Sequence, residues 1–334
     1  MNDQRILLAH GNGGRFMREL IGELFARHLA NPTLDTDADA VHLPDLSGDI
    51  LVTTDGFTVQ PLEFPGGNLG SLAVHGVVND LSVAGAEPRY FTLSAIIEEG
   101  MEVAQLDRLI AAFAEAAREN GVSVAAGDTK VVRKGEGGGL YLSVAGIGQR
   151  RASVPLGMKR IAPGDALLVS GPVGDHGISV MLAREQFGLT GELRSDSASV
   201  LPLCRAVWDL PQLKFMRDPT RGGLATVCHE IAHATGHTVV LQQASVPVRG
   251  EVEAVCEMLG YEPYFLACEG RVVAAVAADG AEAVLERWHA LPGGADAALI
   301  GHIAEGRPQV LLETALGGRR LVTELEDDPL PRIC

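Results

Sequence analysis

Apolar segments of strand length alternate with amphipathic segments of helical period along most of this chain, and the alternation stops and restarts once. In the first half, strands are expected at Asp49 to Thr54, Arg89 to Ile97, Val122 to Ala126 and Leu140 to Ile147. Helices are expected at Asn68 to Ala84, with Asn68 as N-cap, and at Val103 to Asn120, ended by Gly121. The order β-α-β-α-β-β requires an α+β domain in which helices cover a mixed sheet. Near Ala162-Pro163-Gly164-Asp165 the pattern begins again, so the boundary falls between Gln149 and Pro163.

The second half repeats strand–helix alternation. Strands are expected at Ala166 to Ser170, Thr238 to Leu241, Val272 to Ala277, Leu299 to Ala304, Val310 to Leu312 and Arg320 to Glu324. Helices are expected at Asp196 to Leu210, Leu224 to Ala234, Gly250 to Leu259 and Ala281 to His289. The resulting plan is a glycine loop and helix over 1–36, an α+β domain over 37–150, an α/β sandwich domain over 160–324 and a flexible tail over 325–334.

The chain has 46% hydrophobic residues, enough for real cores, but only 4% aromatics, so those cores are Ala, Val and Leu packing. A formal charge of −16 excludes nucleic acid as the natural partner, because phosphates call for basic surface. It does not exclude a nucleotide, since divalent metal bridges carboxylates to phosphates. No secretory signal and no membrane-length apolar run is expected. The five cysteines are scattered without a CxxC pair, which fits a reducing cytoplasm; Cys204, Cys228 and Cys256 sit in apolar helical patterns as inert core thiols.

Glycine-bearing loops that open helices offer free backbone N–H groups to anions. His10-Gly11-Asn12-Gly13-Gly14 is one, and Asp218-Pro219-Thr220-Arg221-Gly222-Gly223 another. Three acids share a context at element ends: Asp55 after a strand, Asp80 after Asn79 near a helix end, and Asp128 after Gly127. Carboxylates so placed can converge, and hard divalent cations bind carboxylate oxygens alongside substrate phosphates. Lys130, two residues past Asp128, can set a positive charge against a phosphate. His229-Glu230-Ile231-Ala232-His233 formally matches the H-E-x-x-H zinc pattern, but no third ligand pattern follows. The phosphate-type loop just upstream gives this helix another purpose, so metal is not expected there.

The sequence ends Asp328-Pro329-Leu330-Pro331-Arg332-Ile333-Cys334. Two prolines keep the segment extended, which presents a terminal thiol on a semi-rigid arm, as a covalent carrier requires.

The glycine loops at 10–14 and 218–223, Asn79-Asp80, Gly127-Asp128-Thr129-Lys130 and the terminal Pro331-Arg332-Ile333-Cys334, together with Pro65-Gly66-Gly67-Asn68 and Gly174-Asp175-His176-Gly177, closely resemble the HypE family of hydrogenase maturation factors over essentially the whole chain. The internal motifs are shared more loosely with aminoimidazole ribonucleotide synthetase, selenophosphate synthetase and thiamine-monophosphate kinase. The resemblance implies a homodimer whose N-terminal, ATP-binding sheets pair into a barrel, with ATP and magnesium in the adjoining cleft. It implies that a HypF carbamoyltransferase loads Cys334, that ATP-dependent dehydration turns the carbamoyl into a thiocyanate, and that cyanide passes to iron on a HypC–HypD scaffold for the [NiFe] hydrogenase site. It assigns Asp55, Asp80 and Asp128 to magnesium. His10, Asn12, Gly13, Gly14, Asn79, Asp80, Asp128, Lys130 and Asp218 become nucleotide contacts. Cys334, Lys130, Glu269 and His176 become catalytic groups, with Glu269 or His176 taking the carbamoyl proton. Asn12 stands where the family often has Ser, and Cys268 where Asn is common. Two other readings are a superfamily kinase or synthetase acting on a free small molecule, and a non-catalytic thiol carrier.

Overall fold

The computed structural model describes residues 4–12, 14–36, 38, 40–44, 46–153, 155–184, 191–326, 330 and 333. The N-terminal stretch is helical from Gly14 to Leu29: α1 (Gly14–Leu20) passes through a π-helical segment (Ile21–Ala26) into α2 (Arg27–Leu29). Its apolar period does what it predicts, since Leu20 and Leu24 are buried.

The first domain is a four-stranded sheet in the order β1 (Ile50–Phe57), β6 (Leu140–Arg150), β4 (Ala86–Glu98), β5 (Ser123–Val132). Helices α3 (Leu69–Val83) and α4 (Val103–Glu119) pack beside it, so the α+β reading is correct. Asn68 caps α3 as expected: its side chain accepts from the Ser71 N–H at 3.1 Å, and its own N–H donates to the Ser71 hydroxyl at 3.3 Å. A small ribbon, β2 (Glu63–Phe64) and β3 (Gly67–Asn68), precedes the helix. Its turn needs Gly66, at φ 97°, because a Cβ there would lie 2.7 Å from the Ser195 nitrogen.

Two strands run longer than expected, and this relocates two site residues. β1 continues through Asp55, which pairs with Val144. β5 continues through Gly127-Asp128-Thr129-Lys130 to Val132. Gly127 does not end the strand; it lets the neighbouring strand approach, since a Cβ would sit 2.7 Å from the Leu93 carbonyl.

The second domain carries β7 (Ala166–Val169), α5 (Asp175–Ala183), α6 (Leu201–Arg205), β8 (Leu213–Arg217), α7 (Gly223–Thr235), β9 (Thr238–Gln242), α8 (Gly250–Leu259), β10 (Val273–Val276), α9 (Ala281–His289), β11 (Ala298–Ala304), β12 (Gln309–Glu313) and β13 (Arg319–Val322). The strands form one seven-stranded sheet in the order β13-β12-β9-β11-β7-β10-β8. Its described pairings are antiparallel except β9 with β12, so the strand–helix alternation does not make a parallel sheet.

Two expectations fail here. The helix from Asp196 to Leu210 is helical only at α6, because the backbone before it is spent on tertiary bonds: Ser195 N–H donates to the Pro65 carbonyl and Val200 N–H to Asn79 Oδ1. The sequence reads 325–334 as a flexible tail. Instead Leu330 and Ile333 are 5% and 2% exposed and belong to the main core.

Candidate active site

Asp80 projects from α3 and accepts a hydrogen bond from the Thr53 hydroxyl of β1 at 2.7 Å. Asp55 lies two residues along the same strand, and Arg221 Nη2 of the second domain comes within 3.9 Å of its carboxylate. Asp218, at the end of β8, is 6% exposed. Burial first, and then the neighbouring Asp80 carboxylate, push its pKa up to about 7. Asp80 is raised as well, by burial and then by Asp55, against the Thr53 hydrogen bond and the Arg217 charge. A cavity of about 390 Å3 opens beside them, lined by Thr53, Asp80, Gly157, Phe215 and Arg217. Arg217 is itself held by Glu230 of α7 at 2.9 Å.

Glu269 adjoins this cluster and is 1% exposed, with Oε1 unpartnered among the described residues. Burial, followed by Asp218, Asp196 and Asp55, raises its pKa far above the carboxylate range. Removal of water thus favours the protonated form of this carboxyl over its charged form. His176 lies deeper still, and its pKa is lowered, chiefly by burial. Its Nδ1 is 2.8 Å from the Ser195 hydroxyl, and its Nε2 is 2.5 Å from the carbonyl of Ile333, the last described residue of the tail. Nε2 must be the protonated nitrogen, because a carbonyl only accepts. The segment 195–196 joins the two groups: Ser195 meets His176, while Asp196 Oδ1 accepts from the Glu269 N–H at 3.1 Å. A buried ion cluster fixes the surrounding loops, with Asp175 bound to Arg249 at 2.8 Å and Arg271 between Asp175 and Asp196 at 3.4 Å from each.

The other expected residues lie elsewhere. Asp128 and Lys130 are exposed on β5, one edge of the sheet, whereas Asp55 is on β1, the opposite edge. Three strand spacings separate them, roughly 14 Å, so Asp55, Asp80 and Asp128 do not converge on one ion within a single chain. What β5 does gather is the first glycine loop: a Cβ on Gly11 would lie 2.8 Å from the Val131 Cβ. His10 is buried in that loop, Asn12 and Gly14 are exposed, and Gly13 lies outside the described residues, as does Cys334. A cavity of about 170 Å3 opens beside Asp128, lined by Phe25, Leu29, Leu34, Val41 and Leu93. Asn79 is not free for a nucleotide. Its amide donates to the carbonyls of Ala198 and Glu269 and accepts from the Val200 N–H, binding one domain to the other.

Sequence reasoning missed Thr53, Ser195, Asp196 and the pairing of Arg217 with Glu230. Only Arg217 had a signal, a basic residue abutting the Asp218 loop; the others are recognisable only once distant segments meet.

Family models for the AIR-synthase-related proteins match both halves, the N-terminal domain over residues 36–149 and the C-terminal domain over 162–312. Within that class, the carbamoyl dehydratase HypE of Escherichia coli K12 is 44% identical over 335 residues, covering 98% of this chain and 99% of the relative. The crystal structure of hydrogenase maturation protein HypE in complex with ATP matches at TM-score 0.93 and 42% identity, covering 98% of this chain and 99% of that one. The structure of a HypE–HypF complex contains a chain that matches at TM-score 0.80 and 40% identity, covering 93% of this chain and 99% of that one. The chain belongs to the HypE family of carbamoyl dehydratases.

Proposed function

We propose that the protein is an ATP-dependent carbamoyl dehydratase of hydrogenase maturation, acting on a carbamoyl group carried by its own Cys334. The observation that carries this reading is the seat of the tail: His176 Nε2 holds the Ile333 carbonyl, one residue before the thiol, and the 195–196 segment links His176 to Glu269, which lies near Asp218.

The carbamoyl oxygen takes the γ-phosphoryl group of ATP, releasing ADP; the carbon–oxygen bond then breaks, the oxygen departs with the phosphate, one N–H proton leaves on that phosphate and the other passes to a protein acceptor, and carbon and nitrogen become triply bonded. Positioning and charge neutralisation dominate such a transfer. Lys130 and the loop His10 to Gly14 offset phosphate charge. His176 Nδ1, reached through the Ser195 hydroxyl, is the acceptor available for a proton, while Glu269, whose acidity burial weakens, orients the group.

Crowded carboxylates whose acidity burial and mutual repulsion have weakened are a donor set suited to a hard cation. Asp55, Asp80 and Asp218 would hold magnesium, which when bound offsets the charge of the phosphates. Asp128 and the β5 edge join them if a second copy brings its β5 edge to β1, closing two sheets into a barrel. Exposed apolar side chains on this sheet support that homodimer: Val52 is 68% exposed and Ile96 37%. HypF as the carbamoyl donor, HypC–HypD as the acceptor and a cytoplasmic setting follow from the family. No helix among the described residues is long and apolar enough to cross a membrane.

Incubation with the carbamoyltransferase, carbamoyl phosphate and ATP should leave the C-terminal peptide lighter than its carbamoylated form by one water. An unchanged carbamoyl mass in the presence of ATP overturns the reading. Turnover surviving Cys334→Ala would favour a kinase of free small molecules instead.

A further inference from the structure

The H-E-x-x-H sequence on α7 lacked a third ligand in the linear sequence, and the fold supplies one. Glu324, just past the end of β13, is brought to His229 and His233 from the far end of the second domain. One ring nitrogen from each histidine and one carboxylate oxygen lie within 4.8 Å of one another. His233 Nε2 is 3.2 Å from Glu324 Oε2, and the two imidazoles stack at 6.3 Å between centroids. The two histidines share one helical face by their four-residue spacing.

The decisive observation is on His229. This residue is 7% exposed, yet its Nε2 has no hydrogen-bond partner among the described residues. A buried ring nitrogen left unsatisfied costs free energy unless something outside the chain meets it. The backbone of Val322 and Thr323 adjoins the same imidazole, the arrangement by which ligand histidines are commonly oriented. We propose that His229, His233 and Glu324 form a binding site for a first-row divalent cation of the zinc type. Two imidazoles and a carboxylate are the donors such ions prefer over magnesium. The open side faces solvent, where His233 and Glu324 are 60% and 63% exposed, so water completes the coordination.

The site is structural, not hydrolytic. In metalloproteases the Glu after the first His acts as general base; here Glu230 is engaged by Arg217 through two hydrogen bonds, at 2.9 and 3.2 Å. What the ion joins is informative. α7 opens at the Asp218–Gly223 loop, and His229 lies six residues after Gly223, about 9 Å along the helix at 1.5 Å per residue. Glu324 lies ten residues before Cys334. The ion therefore fastens the root of the tail to the helix that borders the acidic cleft.

The test is equilibrium dialysis of the full chain against Zn2+, with millimolar Mg2+ present to occupy the acidic cleft. It would be repeated with Co2+, whose visible spectrum distinguishes nitrogen and oxygen ligands from thiolate. One Zn2+ per chain is expected, retained in Cys334→Ala and in Glu230→Gln, and weakened at least tenfold in His233→Ala and in Glu324→Gln. The last two replace exposed side chains, so the fold tolerates them. Absence of stoichiometric binding, binding unchanged in both variants, or binding lost with Cys334→Ala would each overturn the proposal.

Discussion

The two sets of carboxylates that look alike in the sequence occupy opposite physical situations. Asp80, Asp218 and Glu269 are drawn in where the two domains meet, and there burial, followed by neighbouring carboxylates (Asp55 for Asp80, Asp80 for Asp218, Asp218 for Glu269), raises their pKa values. Asp128, beside Lys130, stands exposed on an edge strand next to the first glycine loop. An acidic residue beside a turn-forming motif carries no label for which situation it will meet. The difference teaches that one group is held where burial and neighbouring carboxylates disfavour its charge, while the other stands on a polar surface that costs the fold little.

The sharpest way to break this contrast is Asp80→Asn. The variant keeps a partner for Thr53 and removes one of the crowded charges, so it should fold, yet ATP-dependent loss of water from the carbamoylated tail should fall by roughly 10²–10³-fold, the scale of losing one charge-stabilising group. Mass spectrometry of the C-terminal peptide reads it, and undiminished dehydration would show that the buried half is not the working half. Next in size is Val52→Asp on the exposed sheet. It should convert a dimer into monomers in light scattering and reduce ATP binding as the two halves part; a persistent dimer would remove the second copy from the site.

A subtler test uses pH. Asp218 is raised from 3.8 to about 7, so the folded chain keeps a proton that the unfolded chain has shed. The contribution of Asp218 to the stability of the metal-free protein should be full below about pH 4 and be lost as pH rises through about 7, with a slope of at most roughly 1.4 kcal/mol per pH unit for one such group. Mg2+ should raise the melting temperature more at pH 8 than at pH 5, and an equal shift at both would contradict the crowding. The smallest effect is Lys130→Ala. Its exposure predicts a stability change within about 0.5 kcal/mol, with ATP binding several-fold weaker by calorimetry. A large loss of stability would mean that β5 is not the undemanding half.

Legibility in the sequence followed the range of the forces involved. α8 and α9 match their expected bounds, Gly250–Leu259 and Ala281–His289, because period and flanking residues are local signals. β8 was missed: Leu213-Lys214-Phe215-Met216-Arg217 alternates weakly, and its strand character comes from pairing with β10. The 196–210 segment was misread because Asn79, far away in sequence, takes its backbone groups. For the site, the motifs single out Asp80, Asp218, Glu269 and His176, but not how the fold shifts their acidity. That depends on how much water the fold removes and on Asp196 and Ser195, whose role is set by long-range contact. Glu324 as a third metal-type ligand was invisible for the same reason.

The lodging of Leu330 and Ile333 in the main core has one more consequence. Burying two such side chains contributes roughly 3–6 kcal/mol before the ordering of the arm is counted against it. On the proposed reading, in which Cys334 carries the cargo, handing it on requires a small local unfolding that withdraws these two side chains. A partner that offers those two side chains an equally dry berth would free the arm without spending further nucleotide.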